Sequence, residues 1–452
     1  MKKCKFFGTD GIRGVIGQDF DAELAARIAN AAAVYVGARP AKVVIGWDTR
    51  GSCDFIVHIL AGTLAYYGID VLKVGVVPTA ALSFLTHKLG CDIGVMVSAS
   101  HSSAKYNGVK IFNSAGEKLS ERETCEFDKL VAKKSKPEQR AANIGTITTD
   151  AKAIKFWQNY LVRKYKNLVK PGMKIAVDCA FGSGAECARV CLGALGLCAT
   201  IFNDKSDGFN INDGCGATQP AYMRAAMRDD ALSGGFDIGF AFDGDADRCI
   251  VFDAEGNHIH GDIVIYLLAK HYKNRGALAK NKIASTILFN LGIENVLRRD
   301  GIKLVRTDVG DAEVCNALKS ENLAMGGEPS GHIIFQKVWC TGDGLVLALE
   351  FLAMLAASDK SLADLCRQAQ VYPQVNLNTD ATPAQKKFLF KNSDFKKFIN
   401  SAKDRYCDER IIVRPSGTEN IVRVTAEGAE KQKCETIAAE IVAEIKRILQ
   451  NA

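Results

Sequence analysis

What the 452-residue sequence lacks narrows its class before any motif is read. No apolar run is long enough to span a bilayer. The longest, LVLALEFLAMLAA from Leu345, falls short of the roughly 20 residues a spanning helix needs and carries Glu350, so it reads as a core helix. The start, MKKCKFFGTDG, has the lysines of a signal peptide but breaks at Gly8 and Asp10 before an apolar segment forms, so export is not expected and the chain reads as cytoplasmic. The 15 cysteines are odd in number and include neither a C-x-x-C pair nor neighbouring histidine pairs, which supports neither a disulfide framework nor a zinc site. Cys187, Cys191 and Cys198 fall on an apparent helix and the strand after it, where a thiol behaves as a small apolar residue; free thiols suit a reducing compartment. An excess of one charge is also missing. The 58 basic and 51 acidic residues are spread along the chain, so neither nucleic acid nor a membrane is an expected partner, and an anionic small molecule fits the net charge of +7.

Several common catalytic loops are absent too. There is no G-x-S-x-G elbow to activate a serine and no G-x-x-x-x-G-K-[ST] phosphate loop, and the glycines of FGTDGIRG at 8, 11 and 14 lack dinucleotide-loop spacing. What is present is ordinary globular composition, 48% hydrophobic and 24% charged, in a chain long enough for about three domains at ~150 residues each. Three segments share one plan: AKVVIGWDTR near 41, MKIAVDCAFGSG near 173 and NKIASTILFNLG near 281. Each is an apolar β-rich run ending in a polar or glycine loop, followed by a helical stretch and a second strand after a glycine, which predicts three related α/β domains with mainly parallel, mixed sheets. A polar linker is expected at AKKSKPEQRAANIGTITTDA, and the pattern changes again near 253–262 and 371–380. The expected domains are 1–150, 151–257, 258–370 and a smaller α+β domain at 371–452, whose last helix places Ile437, Ile441 and Ile445 on one apolar face.

Four constellations carry candidate chemistry. VSASHSSAKYNGVKIF, 97–112, crosses between two apolar runs as a loop expected to be exposed. Its Ser-His neighbours do not make a dyad if the segment is extended, because adjacent side chains then point to opposite faces. In FAFDGDADRCIVFD, Asp243, Asp245 and Asp247 alternate after an apolar strand; three carboxylates so close call for a cation, and hard oxygen ligands suit Mg²⁺ or Ca²⁺. Arg248 and Ala254 stand where an EF-hand needs glycine and glutamate. In MGGEPSGHIIF, Glu328, Ser330 and His332 alternate, and an extended segment would turn all three toward sugar hydroxyls, although for this segment alone a glycine turn with a capping serine is the more common explanation. In VRPSGTENIVRV, Arg414, Ser416, Thr418 and the amides around Gly417 suit a phosphate, and a decorated hairpin is the plainer alternative.

Taken in order, FGTDGIRG, S-A-S-H, D-G-D-x-D-R, G-E-x-S-G-H and R-x-S-G-T-E resemble the α-D-phosphohexomutase superfamily, from residue 7 to about 424. The resemblance implies three related α/β domains and a smaller fourth around a central cleft. It implies that Ser100 carries a phosphoryl group and shares a Mg²⁺ ion with Asp243, Asp245 and Asp247, and that His101, Lys110 and Arg13 belong to the catalytic centre beside it. Arg248 would add positive charge nearby, Glu328, Ser330 and His332 would hold sugar hydroxyls, and Arg414, Ser416, Gly417 and Thr418, supported by Arg423, would grip the phosphate that is not reacting.

The implied reaction moves a phosphoryl group between O6 and O1 of a hexosamine phosphate, converting glucosamine 6-phosphate to glucosamine 1-phosphate through the phosphoserine and a hexosamine 1,6-bisphosphate. The alternatives are a mutase of mannose or glucose phosphates and a phosphosugar-binding homologue with weak catalysis. One departure bears on that choice: the family loop continues His-Asn-Pro, whereas this chain has His101, Ser102 and Ser103, which frees the loop backbone and is expected to lower activity or admit water. Asn420 also replaces a usual proline beside the phosphate loop.

Overall fold

A computed structural model describes residues 4–8, 10–37, 40–137, 144–229, 235–416 and 419–450. The first set of elements is β1 (Phe7–Gly8), β2 (Gly11–Val15), α1 (Ala22–Val36), β3 (Lys42–Trp47), α2 (Cys53–Tyr66), β4 (Asp70–Val76), α3 (Thr79–Lys88), β5 (Ile93–Val97), β6 (Tyr106–Asn113), α4 (Glu121–Ala132) and β7 (Ile147–Thr149). Next come α5 (Lys155–Tyr165), β8 (Lys174–Asp178), α6 (Ala185–Ala194), β9 (Cys198–Phe202), α7 (Pro220–Met227), β10 (Ile238–Phe242), β11 (Cys249–Phe252) and β12 (His258–Ile259). A third set follows: α8 (Gly261–Asn274), β13 (Lys282–Thr286), α9 (Leu291–Arg299), β14 (Lys303–Thr307), α10 (Asp311–Glu321), β15 (Met325–Gly327), β16 (Ile333–Phe335), α11 (Gly344–Ala356) and α12 (Leu362–Cys366).

The three sets repeat one topology. Strands run β4-β3-β5-β6 in the first sheet, β9-β8-β10-β11 in the second and β14-β13-β15-β16 in the third. In each, the first three strands are parallel and the fourth returns antiparallel beside the third. The three sequence segments sharing one plan form β3, β8 and β13, the second strand in each of these orders. Ligands of open α/β sheets bind beyond the carboxyl ends of strands. The loop from third to fourth strand leaves from that end in every repeat, and the three loops are 98–105, 243–248 and 328–332: the serine, aspartate and Glu-Pro-Ser-Gly-His motifs.

The expected linker is only partly a linker. Its β-branched Ile147, Thr148 and Thr149 form β7, which pairs parallel with β4 at the sheet edge, and residues 138–143 lie outside the described residues. Of the cysteines read as core, Cys187 and Cys191 are buried on α6 but Cys198 is exposed on β9, because that strand borders its sheet. Helix α11 is buried on almost every face, as its uniform hydrophobicity requires, and Glu350 is accommodated by accepting from the Tyr165 hydroxyl at 2.6 Å. Among the described residues no helix is long and apolar enough to cross a membrane.

The chain forms two compact units, Met1–Leu288 with Lys303–Cys366, and Phe289–Ile302 with Arg367–Ala452. In the first, an aromatic cluster joins the three repeats: Phe84 on α3 lies 5.0 Å from Trp157 and 5.4 Å from Tyr160, both on α5, and 5.1 Å from Trp339 beyond β16. Two polar tips are satisfied across the same junction, with Trp339 Nε1 donating to Ser83 Oγ at 2.7 Å and the Tyr160 hydroxyl to the Val338 carbonyl at 2.9 Å. The second unit holds β17 (Gln374–Asp380), α13 (Pro383–Lys391), α14 (Ser393–Arg405), β18 (Arg410–Pro415), β19 (Ile421–Glu427) and α15 (Lys431–Gln450), with an antiparallel sheet ordered β17-β19-β18. Ile437, Ile441 and Ile445 are fully buried along α15, the single apolar face read from their spacing. Although α9 connects β13 to β14, it belongs to this unit, where the Leu291 amide donates to Glu427 at 2.8 Å.

Trp157→Ala, which empties the centre of the aromatic cluster, is expected to destabilise the first unit by about 3–5 kcal/mol. Thermal unfolding followed by circular dichroism should show its transition shifted down while Phe388→Ala, a change at a half-exposed ring of the second unit, leaves that transition in place.

Candidate active site

The serine loop is mostly not the exposed crossing its polarity suggests. Ser98, Ala99 and Ser100 are buried, and Ser100 has φ +51°, left-handed and uncommon for a residue with a side chain. The strain is held by Arg50, whose guanidinium donates to four carbonyls, three in this loop, Ser100 at 2.9 Å, Ser102 at 2.8 Å and Ser103 at 2.6 Å, and that of Tyr106 at the start of β6 at 3.1 Å. Arg50 itself is fixed by Asp48 at 3.0 Å, and both side chains are fully buried. Asp48 also accepts from Ser98 Oγ at 2.6 Å, and Ser98 Oγ in turn accepts the Ser100 amide at 2.9 Å. Asn212 adds donors to the Ser100 and Ser102 carbonyls, each at 2.9 Å. The bonds from Arg50 and Asn212 to this segment end on backbone carbonyls, and none of the others uses the side chain of residue 102 or 103, so they do not depend on the Ser102 and Ser103 replacements. The only trace of Arg50 in the sequence is its place in WDTR just after β3.

Left-handed Ser100 also changes its relation to His101. The segment is a turn rather than extended, and Ser100 Oγ comes within 3.5 Å of His101 Nδ1, a distance at the limit of a hydrogen bond. The stronger partner is Asp243, whose Oδ2 accepts from Ser100 Oγ at 2.7 Å. Burial, then Arg248 and Arg13, push the His101 imidazole down to about 4, so it is neutral at physiological pH.

Asp243, Asp245 and Asp247 place carboxylate oxygens within 4.8 Å of one another, all buried. Gly244 makes that loop possible against the serine loop: a Cβ there would lie 2.8 Å from the Ser100 carbonyl oxygen and 2.7 Å from Ile211. The backbone of the aspartate loop is held by all three repeats, through Thr79 N to Asp245 O at 3.1 Å, Ser183 N to Gly244 O at 2.9 Å and Gly344 N to Ala246 O at 2.8 Å. Lys110 on β6 reaches Asp245 at 2.7 Å, Asp247 at 3.1 Å and Asp10 at 2.8 Å. Burial disfavours its charge, but the three carboxylates outweigh burial and hold Lys110 protonated well above its ordinary range. For Asp247, likewise, Lys110, His332 and Arg248 overcome burial and hold the carboxyl ionised. Asp243 differs. Burial and the neighbouring Asp247 and Asp245 push it well up, since its hydrogen bonds come from Ser100 and two amides rather than from a lysine. Asp245 Oδ1 and Asp247 Oδ1 are buried without a hydrogen-bond donor. Unpaired carboxylate oxygens beside a destabilised carboxylate fit a hard divalent cation.

Around this centre Arg13 pairs with Asp10, and Arg248 lies 3.8 Å from Asp247. The third motif is a tight turn, with Glu328 N donating to His332 O at 2.9 Å and Gly331 N to Glu328 O at 3.1 Å, so strand alternation is not what orients its side chains. Glu328 accepts the Gly310 amide at 3.2 Å, His332 stands 3.8 Å from both Asp247 and Asp311, and Ser330 Oγ is buried without a partner. Lys118, which sequence reading passed over, bridges Asp10 at 2.5 Å and Asp311. Asp10 lies inside FGTDGIRG without having been singled out there, and Lys118, Asp311 and Thr79 carried no sequence signal, because residues of this kind become meaningful only when distant repeats meet.

The last motif lies in the second unit. Arg414 and Arg423 face each other across β18 and β19. Like charges opposed in this way destabilise a sheet unless an anion joins them. Arg423 pairs with Glu419, while no described residue pairs with Arg414, whose charge is disfavoured by burial and by Arg423. Ser416 Oγ accepts the Glu419 amide at 3.1 Å, and Lys386, also unforeseen, ties the turn through the Ser416 and Glu419 carbonyls at 2.9 and 2.8 Å. Gly417 and Thr418 lie outside the described residues.

Comparison with known proteins agrees with this reading of the fold. The chain matches the models of phosphoglucomutase/phosphomannomutase α/β/α domain I over residues 5–138, domain II over 151–256, domain III over 260–372 and the C-terminal domain over 374–444. A solved phosphoglucomutase/phosphomannomutase family protein from Burkholderia thailandensis shares the fold at a TM-score of 0.81 and 23% identity, covering 100% of this chain and 98% of that one. The chain therefore belongs to the phosphoglucomutase/phosphomannomutase family, within the α-D-phosphohexomutases. Among its full-length relatives is the phosphoglucosamine mutase of Clostridium botulinum, 36% identical over 96% of this chain and 97% of that one. An Aspergillus fumigatus N-acetylphosphoglucosamine mutase, solved in complex with GlcNAc-6P and magnesium, has a TM-score of 0.66 at 20% identity and covers 99% of this chain and 96% of that one.

Arg50→Met is expected to cost about 3–5 kcal/mol, because it leaves Asp48 as an unpaired buried charge and releases four carbonyls. Arg50→Lys should rescue little, since one ammonium cannot serve the forked set of acceptors. Thermal melts of both variants, with hydrogen exchange over residues 98–106, check this; full protection of that loop in Arg50→Lys would contradict it.

Proposed function

We propose that the chain is a phosphosugar mutase converting glucosamine 6-phosphate to glucosamine 1-phosphate through a phosphoserine and a bisphosphorylated sugar. The observation that carries the reading is Ser100 Oγ, buried and 2.7 Å from the aspartate loop in which two carboxylate oxygens lack donors. The full-length phosphoglucosamine mutase relative supports the amino sugar over mannose or glucose phosphates.

Asp243, Asp245 and Asp247, with an oxygen of the serine phosphate, would hold Mg²⁺, which when bound supplies positive charge to the phosphoryl group in transfer. The chain's own residues do the rest. Ser100 gives up its phosphoryl group as the Oγ–P bond breaks and a bond forms to O1 or O6 of the sugar, and in the net step the proton of that sugar hydroxyl ends on Ser100 Oγ. The phosphoryl group at the other position then returns to Ser100. Lys110 serves as a fixed cation: three carboxylates hold its proton, so it does not act as the base in this state. Glu328, Ser330 and His332 are assigned to the sugar hydroxyls, Arg13 and Arg248 to the local charge, and Arg414, Ser416 and Arg423 to the phosphate that stays. Burial of Ser100 limits the access of water, which would otherwise turn the mutase into a phosphatase. The Arg50 clamp supports ordinary activity despite Ser102 and Ser103. A phosphorylated sugar is a charged metabolite retained within membranes, which supports a cytoplasmic site of action.

Incubation with glucose 1,6-bisphosphate should add one phosphoryl group to the intact mass, and Ser100→Ala should abolish the addition. No addition, or addition unaffected by that change, would reduce the chain to a phosphosugar binder. Turnover of glucosamine 6-phosphate should exceed that of mannose and glucose 6-phosphates; equal or lower turnover would favour the alternative mutases. Chelation should stop turnover and Mg²⁺ restore it, while Asp243→Asn should lower kcat by about 10²-fold or more, the worth of ~3 kcal/mol of transition-state stabilisation.

A further inference from the structure

Four thiols that the proposed chemistry leaves unused, Cys4, Cys125, Cys315 and Cys340, line one cavity of about 380 Å³ that also carries Asp10 and Lys110. Two of them are in contact. Cys4 and Cys125 sulfurs lie 3.4 Å apart, the one direct sulfur–sulfur contact among the described residues, and both residues are half-buried and so open to a small reagent. Their backbones are already fixed together. One turn beyond Cys125 on α4, the Asp128 carboxylate accepts the amides of Lys5, Phe6 and Phe7 at 2.8, 2.7 and 2.9 Å. Phe7 adds a ring contact with Phe127 at 5.7 Å. Reaching a disulfide's ~2.05 Å therefore asks for about 1.4 Å of sulfur approach between segments that are docked before any oxidation.

We propose that Cys4 and Cys125 form a reversible modification site: a thiol pair oxidised by a low-molecular-weight disulfide to an intramolecular disulfide. One cysteine thiolate attacks the reagent and releases one thiol; the second attacks the resulting mixed disulfide and releases the other. The two cysteine sulfurs are oxidised, the reagent is reduced to two thiols, and those thiols take up the two protons. Burial, the hydrogen bond with Cys125 and the Asp128 carboxylate push the Cys4 thiol up to about 11, so exchange is slow near neutrality and speeds as pH rises. The bond would tie the segment leading into Asp10, the partner of Lys110, Lys118 and Arg13, covalently to α4. It closes a long loop, 121 positions apart in sequence, which restrains the unfolded chain.

The full chain, equilibrated in buffers of increasing oxidised to reduced glutathione, alkylated and mapped by peptide mass, should yield a linked Cys4–Cys125 peptide that grows with the oxidised fraction and disappears with dithiothreitol. The thermal transition of the oxidised chain should rise. Cys125→Ser and Cys4→Ser should each lose the linked peptide and that rise, leaving a glutathione adduct on the remaining thiol. Alkylation of both thiols at every ratio, or their recovery only as glutathione adducts or in links to other cysteines, would overturn the proposal. None of these measurements reads turnover, so the site and the mutase reading stand or fall separately.

Discussion

Charge burial at the aspartate loop is the constraint on which the rest of the structure depends. Asp243, Asp245 and Asp247 are removed from water within 4.8 Å of each other, which is tolerable only where cations answer them. The cations are Lys110, from β6 of the first repeat, and Arg248, from the loop's own end, and the His332 imidazole of the third repeat stands 3.8 Å from Asp247. Asp10 and Lys118 extend the network, and Lys118 reaches Asp311 at the start of α10. The three repeats are thus joined by electrostatics at the centre and by the aromatic cluster of Phe84, Trp157, Tyr160 and Trp339 beside it. Asp243 is the one of the three without a lysine donor, and it is the one that holds Ser100.

A second constraint is conformational. Ser100 sits in a left-handed turn that its own sequence does not favour, and it stays there because Arg50 collects the carbonyls around it. Backbone acceptors make the device indifferent to the side chains at 102 and 103. The changes that looked most disruptive in the sequence accordingly fall where the architecture depends least on side-chain identity. In the second unit a similar economy appears: opposed Arg414 and Arg423 form an electropositive hairpin whose turn is held through carbonyls by Lys386.

Repetition explains why function is so concentrated. One topology occurs three times, and each copy sends a loop from the carboxyl end of its third strand. Where the serine, aspartate and Glu-Pro-Ser-Gly-His loops meet, each copy contributes different side chains: a serine hydroxyl, three carboxylates, and a glutamate, a serine and a histidine.

Much of this was legible in the chain. Apolar runs punctuated by glycine marked β3, β8 and β13, the spacing of Ile437, Ile441 and Ile445 marked the face of α15, and alternating aspartates marked a candidate cation site, because periodicity and local charge repulsion act over a few residues. Other features were not. The turn at 329–331 defeated an alternation argument, β7 lay hidden in a polar stretch, and Arg50, Lys118 and Asp311 carried no local mark. Their roles arise from contacts across 50 to nearly 200 positions, so they exist only once the chain is folded. The sequence by itself determined which elements form and which chemical groups are on hand. Tertiary structure alone decided which charges answer one another and which backbone is held in strain, since Coulombic pairing and burial depend on distance in space.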